Sequence, residues 1–449
     1  VRFTAREIAD AAGGAVIAGA PDAEATSYAI DSRLIDAGGC FFALEGDRDG
    51  HDYAEDAFRR GASVAVVRRS LGAEEPSDGN RPRAVVQVGD PLRALQALGG
   101  VARARLVDAT VVGITGSAGK TATKDLTAAA VRGAHQVHAS PASYNNEAGL
   151  PLTLLGAAEG TEIVVTEMGA RFAGNIAELT EIARPSVGIV THVGMAHAEH
   201  LGGRAGIARV KGELLEALPT DGIAVLNAEC DATPGLGRRT RARLLLVGRQ
   251  GDVDVRVTGV TLDDELRPRF TLETPWGSAS PGLAMRGEHQ VENAAMAATA
   301  ALALGTPLAT VVEGLRAART AALRMEIVRT RAGVTLINDS YNSSPTSAAA
   351  AVRALSRLPV EGRRIAVLGE MLELGVHADA EHAALGALAA TSGIDLLIAV
   401  GAPAPWLTEG ARAAPDAHIE VQSVPDAAGA AAALHDVLHA GDGVLVKAS

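Results

Sequence analysis

A lysine closes a glycine-rich turn in the segment Thr115-Gly116-Ser117-Ala118-Gly119-Lys120-Thr121. Small residues there let backbone N–H groups approach phosphates, and a helix opening at the lysine directs its positive end at them. In that setting Lys120 can bridge β- and γ-phosphate oxygens, and the Thr121 hydroxyl can bind Mg²⁺. The general phosphate-loop pattern has Gly six residues before the Lys. Ile114 holds that position here, so the chain carries the shorter and narrower form. Lysine is rare elsewhere: of 41 Lys and Arg residues, only Lys120, Lys124, Lys211 and Lys447 are lysines. Where Arg can serve, Arg is mostly present, so a surviving Lys marks a need for a compact ammonium or a free amine. Chance retention in an Arg-rich chain is the competing reading.

Further polar groups fall in loops after strand-like runs. Glu167 follows Ile163-Val164-Val165-Thr166, read as a strand. The carboxyl end of such a strand faces the crevice that a phosphate loop also faces. A carboxylate there suits Mg²⁺, which takes one or two carboxylates plus phosphates; a solvated or helix-capping Glu would look the same. His192, His197 and His200 lie after the run Val187–Val190, as ligands or as surface histidines. Two of the four tyrosines sit in near-twin segments, Ser143-Tyr144-Asn145-Asn146 and Ser340-Tyr341-Asn342-Ser343. Clustered amides and phenols suit polar ligand contacts, and turn formation suits them equally.

The elements that must position these groups follow from pattern. With 449 residues the chain is long enough for three domains. Residues 1–105 alternate short apolar runs with polar turns. Gly39–Leu44 and Ala62–Val67 read as strands, Val1–Ile8 as an amphipathic helix, and Leu71–Arg83 as an exposed loop. From 106 to 318 the pattern is strand, loop, helix. Strands are predicted at Ala109–Ile114, Ile163–Val165, Val187–Val190 and Ile223–Leu226, with a helix over Thr121–Val131. Such alternation predicts a mainly parallel sheet with helices on both faces. Residues 252–285 read as an antiparallel excursion of the same domain, followed by a helix near 289–304. From Arg319 a second doubly wound unit runs to 449, with strands at Val334–Ile337, Ile365–Leu368, Leu396–Val400 and Val444–Val446. The fold class is α/β throughout: an N-terminal α/β domain, a central phosphate-loop domain and a C-terminal Rossmann-like domain.

Composition narrows the partners. A net charge of −12 and a pI near 5.5 disfavour nucleic acid, which wants a basic face, while leaving room for a local nucleotide cleft. Cys40 and Cys230, far apart, build no disulfide framework or zinc site. No run of eighteen apolar residues points to membrane insertion, and the start does not read as a signal peptide. A monomer in a reducing cytoplasm is expected. Val1 stands where an initiator Met is usual, which a fragment or an alternative start codon would each explain. The chain stops just after a strand, so a further C-terminal helix is expected beyond it.

Taken in order, these pieces resemble the Mur ligase family, ATP-dependent amide-bond ligases of peptidoglycan synthesis, over nearly the whole chain. The specific segments are Tyr144–Pro151, Glu167-Met168-Gly169-Ala170-Arg171, Lys211-Gly212-Glu213, Asp339-Ser340-Tyr341-Asn342 and Leu368–Gly375. Asp31-Ser32-Arg33, Phe41–Leu44 and Asp49–Tyr53 are similar to the family's UDP-sugar domain. The resemblance implies addition of D-alanyl-D-alanine to UDP-N-acetylmuramoyl-tripeptide through an acyl phosphate, with ATP and two magnesium ions. It gives Thr115–Thr121 to the ATP phosphates, His289 and Asn293 to the adenine side, and Asp339 and Tyr341 to the nucleotide from the third domain. Arg324 would reach the phosphates. Thr121, Glu167, His197 and a CO₂-carbamylated Lys211, placed near a helix start, would hold metal. Ser32, Arg33 and Phe42 would meet the UDP-sugar, and Asn145, Asn146 and Arg171 the acceptor pocket. Departures are Asn338 for an acidic residue, Glu370 for Asp, Ala148 for a larger apolar residue and Ala448 for Gly. The rival classes are a phosphate-loop ATPase switch, an inactive relative and a folylpolyglutamate synthetase-like ligase. Residues Asp31–Tyr53 disfavour the last of these.

Overall fold

The structure is a computed structural model that describes residues 1–71, 83–319, 322–415 and 418–449. Most of the loop expected over Leu71–Arg83 lies outside the described residues. The chain divides into two compact units, one of Val1–Gly113, His135–Gly169 and Asn175–Val187, the other of Ile114–Ala134, Ala170–Gly174 and Gly188–Ser449.

In the first unit the opening helix spans Ala5–Ala12, four residues later than the pattern from Val1 predicted. Thr4 sets the start. Its hydroxyl accepts the Glu7 N–H while the Glu7 carboxylate accepts the Thr4 N–H at 2.7 Å, a reciprocal cap. Phe3–Thr4 instead pairs antiparallel with Glu24–Ala25. A five-stranded sheet follows in the order Ala15–Gly19, Ala84–Gln87, Val64–Val67, Gly39–Phe42, Ser27–Ala29. Its inner strands are buried on both faces, which is why they read as unbroken apolar runs. Val137–Ala139 and Ile163–Glu167 pair in parallel within the same unit.

The strand Thr110–Thr115 begins in the first unit and ends in the second. There the sheet continues through Val187–Val190, Ile223–Asn227, Arg243–Gly248 and Val255–Leu262, then turns antiparallel through Pro268–Thr274 and Gly277–Ala279. The excursion predicted over 252–285 is thus an extension of one sheet. A helix at Gln290–Ala303 packs on the one that the phosphate loop opens, Lys120–Arg132.

The last sheet runs Glu326–Arg329, Thr335–Asn338, Gly443–Lys447, Arg364–Leu368, Leu396–Val400, Glu420–Val424, parallel except at the first pair. Alternate residues serve opposite faces: Ala366 and Leu368 pack with Val352 and Leu407, whereas Ile365 and Val367 pack with Ala430 and Leu434. Helices therefore cover both faces, as a doubly wound unit requires. The first and last strands were not legible in the sequence. Both are edge strands with no fully buried residue and no apolar run.

Candidate functional site

In the second unit the phosphate loop is held rigid by its neighbours. The Ser117 N–H donates to the His192 carbonyl at 2.8 Å, and the Ser117 hydroxyl to the Gly194 carbonyl at 3.2 Å. The Thr191 hydroxyl donates to the Ala118 carbonyl at 2.6 Å. Two glycines are forced. A Cβ on Gly116, at φ +150°, would lie 1.9 Å from Thr191 Oγ1, and one on Gly119, at φ +82°, 2.4 Å from Asn293 Oδ1. Thr115 is wholly buried, Ser117 and Thr121 nearly so, and Ala118, Gly119 and Lys120 form the half-open rim. Lys120 Nζ donates to the Gly116 carbonyl at 2.8 Å, which holds the ammonium over the loop. The loop opens directly into the helix Lys120–Arg132, whose positive end is the natural place for phosphate.

The histidine loop comes next. His197 caps a short helix, Ala198–Leu201, with its backbone left-handed at φ 62°. Its Nδ1 hydrogen-bonds the Glu373 carboxylate. Arg171 Nε reaches the other oxygen of that carboxylate at 3.5 Å. Burial holds the His197 imidazole below the ordinary histidine range; the Glu373 carboxylate opposes this, and the charges of Lys120 and Lys211 reinforce it. Lys211 itself is 1% exposed. It lies well inside the helix Gly203–Glu216, not near a helix start as the sequence pattern indicated. Gly202, left-handed at φ 71°, begins that helix where a glycine pair reads as loop.

Residues from the last sheet gather around Asp339. Lys447, 3% exposed at its side chain, pairs with Asp339 Oδ2 at 2.8 Å and donates to the Asp339 and Asn342 carbonyls. The other Asp339 oxygen accepts the Met325 N–H at 3.1 Å. The Arg324 guanidinium lies 4.1 Å from the centre of the Tyr341 ring, a cation–π contact. Burial lowers the His289 pKa, with Asp339 opposing and Lys447 reinforcing, so the start of the Gln290–Ala303 helix senses this cluster. Asn293 Nδ2 donates to Gln290 Oε1 at 3.0 Å beside Gly119.

The first unit holds the remaining candidates. Glu167 ends the strand Ile163–Glu167 and is 1% exposed; Asn145 Nδ2 donates to its Oε1 at 2.7 Å. Asn146 Oδ1 accepts the Gly149 N–H at 2.9 Å, a turn role at the mouth of the helix Gly149–Gly156. Arg33 is exposed and paired with Asp31, whose carboxyl it holds down to about 2. The Ser32 hydroxyl donates to Asp56 at 2.9 Å. Phe42 is wholly buried in its sheet.

The sequence reading gave no role to Thr191 or Glu373 and no partner to Lys447. Lys447 had a signal in the scarcity of lysine and Glu373 in its place within Leu368–Gly375. Thr191 had none.

Residues 114–301 match the Mur ligase middle domain, and residues 323–449 match the Mur ligase glutamate ligase domain. A UDP-N-acetylmuramoyl-tripeptide–D-alanyl-D-alanine ligase of Mycobacterium tuberculosis is 39% identical over 100% of this chain and 95% of its own length. The chain belongs to the Mur ligase family. The fold of this Mur ligase agrees with solved relatives. Crystal structure I of MurF from Acinetobacter baumannii superposes with a TM-score of 0.88 at 30% identity, covering 100% of this chain and 96% of that one. The MurF ligase of Thermotoga maritima in complex with ADP gives a TM-score of 0.77 at 28% identity over 94% of each chain. Among the described residues no helix of this Mur ligase is long and apolar enough to cross a membrane. No group of three or more His, Cys, Asp or Glu that could hold a metal occurs among them either.

Proposed function

We propose that this Mur ligase uses ATP to join D-alanyl-D-alanine to UDP-N-acetylmuramoyl-tripeptide, in cytoplasmic synthesis of the peptidoglycan precursor. One observation carries the reading: the likeness to ligases of that name spans the whole chain, including the N-terminal segment that a bare nucleotide switch would lack. The ADP complex of the Thermotoga relative supports nucleotide use. Residues 1–105 are assigned to the UDP-sugar, with Ser32, Arg33 and Phe42 in that segment. Residues 106–318 are assigned to ATP, and 319–449 to the segment that completes the site.

A carboxylate resists amine attack at neutral pH, so it must first be activated. The terminal carboxylate of the tripeptide attacks the γ-phosphorus, the bond to ADP breaks, and an acyl phosphate results. The dipeptide amine then attacks the acyl carbon, loses a proton, and phosphate leaves with its electron pair. Charge gathers where triphosphate meets carboxylate. Lys120 and the amides at the start of the Lys120–Arg132 helix stabilise it from the protein side. Asp339, Tyr341, His289 and Asn293 position the nucleotide, and Arg324 serves the phosphates. Asn145, Asn146 and Arg171 keep the acceptor role that the resemblance gives them.

The donors present suit magnesium. Thr121 offers a buried hydroxyl at the helix start, and the bond from His197 Nδ1 to Glu373 leaves Nε2 free to coordinate. Mg²⁺ usually takes one or two protein ligands together with phosphate oxygens and water, a share these donors would supply from the protein side. Bound magnesium would neutralise phosphate oxygens and order the reacting groups. Glu167 keeps the carboxylate role that the resemblance gives it. For Lys211 a carbamate is proposed. An amine in its neutral form adds CO₂, forming an N–C bond and releasing a proton. Arg cannot form this adduct. Lys211→Arg should therefore lose most ligation while keeping the fold, and added acetate should partly rescue Lys211→Ala. Full activity in Lys211→Arg would return the residue to a packing role.

The function is tested by ADP release in a coupled assay. Steady turnover should require ATP, the UDP-tripeptide and the dipeptide together. Sustained ADP release without the two amide partners would favour an ATPase switch.

A further inference from the structure

Glu373 stands out because both ends of one hydrogen bond are held in uncommon backbone. It lies after the strand Arg364–Leu368 with φ 60°, and its partner His197 has φ 62°. Non-glycine residues seldom adopt this left-handed region, and they cluster where a side chain must be aimed. Surrounding structure enforces the geometry. The Glu199 N–H donates to the Glu373 carbonyl at 3.2 Å, and a Cβ on Gly375 would come within 3.0 Å of the Glu199 Cβ. The two loops are therefore interlocked through backbone as well as side chains.

The carboxylate faces two residues that sequence reasoning had singled out independently. One oxygen meets His197 Nδ1 and the other faces Arg171 Nε. An ionised carboxylate only accepts hydrogen bonds, so Nδ1 must carry the proton and Nε2 must present its lone pair. Carboxylates bonded in this way fix the tautomer and ring orientation of metal-binding histidines. We propose that Glu373 is a positioning residue of the ligase site: it sets His197 to present Nε2 to a divalent cation and holds Arg171 beside it. The C-terminal segment thereby supplies a group without which the histidine is poorly aimed. This rests on the metal-ligand role given to His197 above.

The test uses the full chain with Mn²⁺ as probe. Glu373→Ala should weaken Mn²⁺ binding 10- to 100-fold, the usual loss for such supporting residues, as read by EPR with a non-hydrolysable ATP analogue present. Glu373→Gln should weaken it less, because an amide oxygen still accepts from Nδ1. In ¹⁵N-histidine spectra His197 should be the Nδ1–H tautomer in the wild type and a mixture in Glu373→Ala. ADP binding without metal should be unchanged. Wild-type Mn²⁺ affinity and an unchanged tautomer in folded Glu373→Ala would overturn the proposal, and Glu373→Gln decides the matter if the alanine variant does not fold. The two readings fail separately. A wild type that makes no dipeptide adduct, while Glu373→Ala still loses Mn²⁺, would remove the substrate assignment and leave Glu373 in place.

Discussion

Gly116 has no room for a side chain, and this single position tests whether the loop is built around phosphate. Gly116→Ala would drive a methyl to within 1.9 Å of the Thr191 hydroxyl that braces Ala118. It should abolish ADP binding in calorimetry; retained micromolar binding would show that the loop tolerates rearrangement. Lys120→Ala removes a point charge and little packing. It should keep its melting temperature yet lose on the order of 10²–10³ in ligation rate, as for a strong electrostatic donor. Near-normal turnover in that variant would contradict the phosphate-loop assignment. The lysine census was legible at this scale for a physical reason. Among the described residues Lys124, Lys211 and Lys447 are buried while no arginine is, so the chain keeps its few ammonium groups for enclosed positions. The pairing of His197 with Glu373 was not legible, because nothing local marks two residues 176 positions apart.

At the scale of elements, a single cap decides where the chain first turns helical. Thr4→Ala removes the hydroxyl that accepts the Glu7 N–H, and such caps are worth about 1 kcal/mol. The urea midpoint of the variant should fall accordingly, with ligation at 25 °C unaffected. An unchanged midpoint would mean that the strand pairing of Phe3–Thr4 alone holds the segment. Elements with strong apolar runs, such as Val64–Val67 and Leu396–Val400, could be read directly, since burial on both faces demands them. Glu326–Arg329 and Glu420–Val424 could not, because an edge strand with solvent beside it carries no such demand. The helix around Lys211 was misplaced because Gly202 and Gly203 look like a loop, whereas their positive φ values launch the helix.

At the scale of the whole molecule, four histidines favour the neutral form on folding. His138, His192, His197 and His289 all have pKa values lowered chiefly by burial. The unfolded chain therefore binds more protons than the folded one once the pH falls below the usual histidine value. Stability should decline as pH drops from about 6.5, by at most about 1.4 kcal/mol per pH unit for each such group and by less where solvent screens it. His289→Gln should flatten this slope in urea titrations between pH 7 and 5; a slope identical to the wild type would show that His289 is protonated equally in both states. Carboxylates held low by arginines, such as Asp31 and Glu265, act in a lower pH range and leave this window to the histidines. The molecule as a whole is a ligase only if two specific partners are joined. The most direct measurement is mass detection of the product when the protein is incubated with ATP, UDP-N-acetylmuramoyl-tripeptide and a panel of amines containing D-alanyl-D-alanine, single D- and L-amino acids and a diamino acid. The dipeptide adduct should dominate, with ADP and phosphate formed one for one. Preferential addition of a single amino acid, or ADP formed with no adduct at all, would contradict the account.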